Sequence, residues 1–569
     1  MINYKIYTDK PSQHYLQIEI SYHPTQVIET IQLPSWRPGR YELGNFAKNV
    51  RNFKVTNQDR QELIYQKITK DRWEFNTSQS ESIIISYEYY AIDLNAGSTF
   101  FSIDQVYINP VNCLMYIDGR ENESCSLELF IPDNFTIACS LSIHGNILNA
   151  SNFDELADSP LICSPTLQHR TYAVDETIFH LWFQGEVKVD WEKLIPDFTS
   201  FTEKQIEKFG EFPVDEYHFL FQIVPFRAYH GVEHCRSTVI LLGPSHAVFN
   251  DFYSDLLGVS SHELYHTWNV KAIRPIEMFP YNFAKENYSE LGYLCEGVTT
   301  YMGDLMLFKS NVIGLADYMK ELNVQIQKHV ENFGRYNYSV AHSSFDTWLD
   351  GYVPGTPSRK VSIYTEGCMI ALICDIMIIH ESNGKYGLDD AMKDLFENFA
   401  RKNKGVSEND YKKILEKFSG TSFDEIFQEY IHGKKDYIAL LTKNLIKIGL
   451  QLKSKQTGKI SQDRFGIKTI VNGNSFIIKQ IFPNSPADLA QLMIDDEIVA
   501  IKRTECLGEL DKLIVQYLQE EKIEFLIKRR NKFIDIEIEL NENQYFPEYF
   551  IEYSEETIKN NRLFKKWIS

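Results

Sequence analysis

The chain has 569 residues, more than a single hydrophobic core organises, so about three or four domains are expected. Apolar residues make up 43% and charged residues an ordinary 24%, which excludes wholesale disorder. The formal net charge of -20 repels phosphate backbones and anionic lipid heads, which argues against nucleic-acid and membrane partners.

The chain opens on Met1-Ile2-Asn3-Tyr4-Lys5-Ile6, strand-like from the start, with no apolar signal core or small-residue cleavage site. No apolar run approaches membrane-spanning length, so a cytoplasmic placement is expected. Residues 1–165 read as an antiparallel β-sandwich. Leu16, Ile18 and Ile20 alternate with polar residues, as do Ile83, Ile85, Tyr87 and Tyr89, and Leu127, Leu129 and Ile131. Turn residues such as Asp118-Gly119 and Asn95-Ala96-Gly97 separate these runs.

Residues 166–450 begin with strands around 217–224 and 238–242 and then turn helical. Leu291, Leu294, Val298, Tyr301 and Leu305 fall on one stripe at helical spacing. The apolar stretch 369–379 predicts a buried helix, and 388–400 and 408–418 predict amphipathic ones, with Gly420 as a stop. Residues 455–541 return to short strands, and 542–569 form a tail rich in aromatic and charged residues. The fold class expected is multidomain α+β. Nine cysteines show no two-residue metal or redox spacing and read as buried small hydrophobes.

The strongest local signal is His262-Glu263-Leu264-Tyr265-His266. Residues four apart share a helix face, so both imidazoles can reach one ion. Zinc takes neutral imidazole nitrogen and keeps an open position for water, and the adjacent Glu263 can accept that water's proton. The bland alternative is a pair of ordinary histidines, with Ser260 and Glu263 forming a capping box. A third ligand is needed. Glu296 opens a second helical run in apolar surroundings, where an unpaired carboxylate is costly; it caps that helix, is solvated or completes the metal site.

At this point the chain resembles the glycyl aminopeptidase family of zinc peptidases, distant relatives of the aminopeptidase-N type. The resemblance runs on through Thr267-Trp268-Asn269-Val270-Lys271-Ala272-Ile273-Arg274-Pro275, resumes at Glu296-Gly297, and returns at Ser343-Ser344-Phe345-Asp346-Thr347-Trp348 and Tyr364-Thr365-Glu366-Gly367. Leu33-Pro34-Ser35-Trp36-Arg37-Pro38-Gly39-Arg40-Tyr41 resembles the family's β domain.

The resemblance implies a thermolysin-like, mostly α catalytic domain. It implies Zn2+ held by His262, His266 and Glu296, Glu263 as general base, and Tyr364 as oxyanion donor. His230-Gly231-Val232-Glu233-His234 resembles an edge-strand motif, which assigns Gly231, Val232 and Glu233 to substrate binding, with Glu233 pairing the free α-amine. Thr300 is the expected outer partner of a zinc-bound histidine. Glu366 stands where the family has Lys.

Residues 455–541 resemble a PDZ domain, whose loop Phe465-Gly466-Ile467 would hold a C-terminal carboxylate of a peptide ligand. The function implied is a zinc aminopeptidase acting on N-terminal peptide bonds, favouring Gly or Ala. The rival functions are a zinc endopeptidase with the same chemistry and a non-catalytic PDZ peptide-binding protein.

Overall fold

Period-2 alternation buries one side of strands Ile2–Tyr7, Tyr15–Tyr22, Ile83–Tyr90 and Cys125–Phe130, as the sequence predicts. A seven-stranded sheet runs in the order Ser142–His144, Ile147–Ala150, Cys125–Phe130, Ile2–Tyr7, Tyr15–Tyr22, Ile83–Tyr90, Val50–Asn57. The first strand pairs parallel with Cys125–Phe130, Ile2 opposite Cys125, so the sheet is mixed rather than purely antiparallel. Ile31, Trp73 and Phe75 from a second, four-stranded sheet share its core with Ile6, Ile18, Ile85 and Leu129. Complete burial of each such side chain contributes about 1.5–3 kcal/mol. The arrangement is sandwich-like.

A computed structural model describes residues 1–78, 80–351 and 355–569. They divide into two units. The first holds residues 1–321, 332–448 and 558–569, and the second 322–331 and 449–557.

Within the first unit a five-stranded sheet follows the sandwich. Its order is Gln168–Val174, Thr177–Gln184, Glu216–Ile223, Ser237–Gly243, Ala228–Glu233, and the last of these is an edge strand antiparallel to its neighbour. One face packs against helix Trp191–Phe209, with Phe198 stacked edge-on to Phe219 at 5.1 Å. Asp190 caps that helix through Lys193 N, and Gly210 ends it at φ 90°. The other face (Leu220, Val232, Val239, Leu241) packs on Ala96 and on Tyr107, Ala138 and Ile162 of a third sheet of the β segment, in the order Thr136–Cys139, Leu161–Ser164, Val106–Ile108, Phe100–Phe101. The β segment is thus fastened directly behind the edge strand.

The helical part follows. Helix Tyr253–Tyr265 crosses Thr299–Lys309, where Ser261 Oγ donates to Gly303 O at 2.7 Å. Ser407 and Asp410 form a capping box on Glu408–Ser419, which Gly420 ends at φ 75°. Contrary to the expectation that no apolar run approaches membrane-spanning length, helix Ile363–Glu381 is long and apolar enough for it, and 83% of that span lies buried inside the protein. It carries Asp375, whose Oδ2 accepts from Tyr301 Oη at 2.5 Å. Trp567 Nε1, from helix Arg562–Trp567, donates to the same Tyr301 Oη at 2.7 Å. Burial pushes the Asp375 carboxyl up to about 6.

The second unit is built on strands Ile467–Asn472, Ser475–Ile481, Glu497–Ile501, Lys522–Arg529 and Lys532–Glu539, with Thr504–Glu505 joined to Glu497–Ile501. Phe465, Ile478, Ile498, Phe525 and Ile538 fill its core. The tail predicted as one piece divides between the units: Glu548–Tyr553 pairs with Leu450–Lys455 here, and 558–569 belongs to the first unit. In the Phe465-Gly466-Ile467 loop, the Gly466 amide donates to Gln462 O at 3.2 Å, and Phe465 O accepts from Ala487 N at 3.1 Å. Gly466 sits at φ 72°, and a Cβ there would stand 2.4 Å from Ser485 Cβ.

Candidate active site

The pentad lies at the C-terminal end of helix Tyr253–Tyr265. That helix starts well before Ser260, so Ser260 is interior and the capping-box alternative falls. His262 Nε2 and His266 Nε2 approach to 3.0 Å with their rings nearly perpendicular, at 85°. His266 Nδ1 donates to Asn269 O at 2.8 Å, which keeps a proton on Nδ1 and aims Nε2 inward as the atom that would ligate. Glu296 Oε2 lies 3.3 Å from His266 Nε2 and 3.7 Å from His262 Nε2. Three donors from two elements therefore converge on one spot.

The Glu296 segment is not the plain α-helix its spacing suggests. Tyr293–Val298 is a π-helical turn, followed by helix Thr299–Lys309. Such turns recur at functional sites because they insert one residue and re-aim a side chain. That insertion also shifts the helical phase, which corrects the expectation for Thr300. Its Oγ1 donates to Glu296 O at 2.8 Å, whereas Thr299 Oγ1 lies 3.5 Å from His266 Nδ1. Asn269, whose role the sequence did not reveal, is the central support. Its Nδ2 donates to Leu294 O, Cys295 O and Thr299 Oγ1 at 2.9, 3.2 and 3.0 Å, tying the exit of the histidine helix to the Glu296 turn. The next residue, Val270, is held at φ 97°, strained backbone for a β-branched side chain.

Glycines set the close approaches. A Cβ on Gly297 would fall 2.2 Å from Gly367 Cα, so these two helices touch backbone to backbone. That contact brings the first turn of helix Ile363–Glu381 to the site, where the Tyr364 ring lies 6.3 Å from the His262 ring. A Cβ on Gly231 would fall 2.1 Å from Glu263 Oε1, so Glu263 lies flat against the edge strand.

Glu233 ends the edge strand and is buried with Glu263 and His266, their ligating atoms all within 4.8 Å of one another. Glu233 Oε1 and Glu263 Oε2 are buried without a hydrogen-bond partner. Val232, from the same motif, points the other way into the contact with the β segment.

The electrostatics bear on what the site can hold. Burial raises Glu263 well above the usual carboxylate range, and Glu233 and Glu296 push it further. Burial opposes ionisation of Glu296, but His266 and His262 hold it down at about 2. Burial likewise lowers His266, yet Glu296 and Glu233 draw it up to about 10. With Glu263 held toward its neutral form, the carboxylates of Glu296 and Glu233 still set more negative charge against the two imidazoles than a proton on His266 offsets. Converging Nε2 atoms, a proton kept on His266 Nδ1 and excess negative charge fit a divalent transition-metal cation.

A second cluster, His180, Glu216 and His218, also gathers within 4.8 Å. Its chemistry differs. The His180 and His218 rings stack in parallel, 1° apart in plane, so their lone pairs do not converge. Trp182 Nε1 donates to His218 Nδ1 at 3.2 Å, which leaves the proton on Nε2. It is an aromatic stack, not a prepared metal site. Phe465, Gly466 and Ile467 belong to the second unit.

Comparison with known proteins accords with this geometry. Residues 3–165 match the family model of the Peptidase M61 N-terminal domain, and residues 255–370 match that of M61 glycyl aminopeptidase. The fold is similar to that of an aminopeptidase N family protein from Idiomarina loihiensis, with a TM-score of 0.90 and 24% identity over 100% of both chains. An M1 zinc metallopeptidase from Deinococcus radiodurans aligns with a TM-score of 0.47 and 12% identity, over 76% of this chain and 94% of that one. No curated protein matches. The two family matches show the resemblance read from the sequence: the chain is a relative of the M61 glycyl aminopeptidases and an enzyme of the metallo-aminopeptidase type.

Proposed function

We propose that this enzyme is a zinc aminopeptidase that hydrolyses the first peptide bond of peptides with a free N-terminus, favouring glycine or alanine there. The observation that carries this reading is the convergence of His262, His266 and Glu296 beside two buried carboxylates with unpartnered oxygens. His262, His266 and Glu296 would hold the zinc. When bound, zinc supplies Lewis acidity toward the scissile carbonyl and toward water.

The chain's own residues do the rest. Glu263, pressed against Gly231 and raised by burial, takes a proton from the attacking water and returns it to the leaving amine. Tyr364, on the first turn of its helix beside His262, donates toward the carbonyl oxygen as charge develops. Glu233 accepts the substrate α-ammonium, which satisfies its unpartnered oxygen. Gly39 presses on Glu233 from the sandwich, which supports a closed end one residue beyond the scissile bond and little room for a side chain there. The preference for small residues rests on that crowding and on the family match.

Two measurements test the reading together: zinc by elemental analysis, and hydrolysis of glycyl and alanyl anilides with free and acetylated N-termini. One zinc per chain with cleavage confined to free amines is expected. Equal rates on blocked and free substrates would replace the exopeptidase by an endopeptidase, and an inert, metal-free protein would end the catalytic proposal.

A further inference from the structure

The Asp158 carboxylate lies at the end of helix Phe153–Ala157, in the β segment, outside every motif that suggested function. It accepts three hydrogen bonds. Oδ1 takes His234 Nδ1 at 3.0 Å and Lys271 Nζ at 2.8 Å, and Oδ2 takes the Cys235 amide at 2.8 Å. His234 and Lys271 are both buried. A charge-assisted knot of this kind is strong and directional, and it is costly to break from one side.

The partners belong to two different parts of the site. His234 and Cys235 directly follow Glu233, where pairing of the edge strand ends at Glu233 opposite Thr238. Beyond that pair, the turn is closed by the bond from His234 N to Ser237 O at 2.9 Å. Lys271 lies in the loop leaving the histidine helix, and its amide donates to His266 O at 3.1 Å. One carboxylate therefore spans the strand end that carries Glu233 and the loop that orients His266.

Resting on the reading of Glu233 as the amine anchor, we infer that Asp158 is a positioning residue that sets the spacing between that anchor and the hydrolytic centre, and so determines the selectivity for a free N-terminus. An enzyme that removes one residue per turn needs that spacing held to a fraction of an ångström. The ladder alone does not hold it, because Glu233 is its last pair. Asn in place of Asp158 keeps one acceptor but turns an amide toward the Cys235 N–H or the His234–Lys271 pair, so one side of the knot opens.

The test uses the zinc-loaded full-length enzyme and compares kcat/KM for a glycyl peptide amide with that for its desamino analogue. Asp158→Asn is expected to lower this ratio by about tenfold, chiefly through KM of the free-amine substrate, with the desamino rate nearly unchanged. Glu233→Gln should abolish the preference, and the double variant should match Glu233→Gln alone, as residues acting through one another are non-additive. An unchanged ratio in zinc-replete Asp158→Asn, or full additivity in the double variant, overturns the inference while leaving Glu233 in its role. An unchanged ratio in Glu233→Gln overturns the anchor reading itself, and the inference with it. If Asp158→Asn does not fold because Lys271 is left unpaired, the charge-balanced Asp158→Asn/Lys271→Met variant takes its place, with the same expected loss and the same overturning result.

Discussion

The backbone of Gly39 rests against the Glu233 carboxylate: a Cβ on Gly39 would stand 2.6 Å from Oε2 and 3.1 Å from Val232 Cγ1. Gly39 holds φ 81°, where a side chain is strained in any case. Gly39→Ala should therefore displace the loop or the carboxylate and raise KM for free-amine peptides by about tenfold, while kcat on saturating substrate changes less. Steady-state kinetics with zinc content as control decide this; an unaltered KM would mean that Gly39 does not shape the amine site.

Glu263 lies against the edge strand with one unpartnered oxygen. Glu263→Gln keeps shape but cannot accept a proton. It should retain stoichiometric zinc and lose about a hundredfold to ten-thousandfold in kcat, the usual range for a general base. Wild-type turnover in a zinc-loaded sample would remove Glu263 from the mechanism.

Asn269 Nδ2 bridges the histidine exit loop to the Glu296 turn without touching the metal position. Asn269→Ala preserves the backbone carbonyl that holds His266 yet releases the Glu296 side. Zinc affinity should fall about tenfold to a hundredfold, as supporting partners of ligands typically cost. Competition with a chromophoric chelator measures this directly, and unchanged affinity would show that the turn holds itself.

Zinc binding should release a proton. Burial opposes charge on His266, but Glu296 and Glu233 raise it to about 10, so the metal-free ring is protonated at neutral pH. A ligand must be neutral, so binding expels that proton, and the apparent affinity rises with pH by up to about tenfold per unit until it levels off near 10. The sign is fixed: the raised value weakens zinc below it and has no effect above it. Calorimetry in buffers of differing ionisation enthalpy counts the protons; none released at pH 8 would contradict the charge balance described for the site.

The parts of this architecture carried by periodicity were legible. Leu16, Ile18 and Ile20 reported a half-buried strand because side chains alternate, and His262 and His266 reported one helix face because four residues make roughly one turn. Glu296 was already a candidate because a carboxylate in apolar surroundings needs a partner, but its role, like that of Tyr364, was assigned only through resemblance, since their partners are distant in sequence. Asn269 stayed hidden because part of its contribution is a backbone carbonyl, which every residue possesses. Thr300 misled because a π turn has no periodic signature of its own. Asp158 carried no signal either, being a single acid in a segment whose pattern speaks only of strands.

The bolt formed by Trp567, Tyr301 and Asp375 has a mechanical consequence. Tyr301 follows the Glu296 turn and Asp375 shares a helix with Tyr364, so the two halves of the candidate site are clamped together behind it rather than at it. A push on one half passes through the shared phenol to the other, so the Glu296 turn and the Tyr364 helix shift as a single piece.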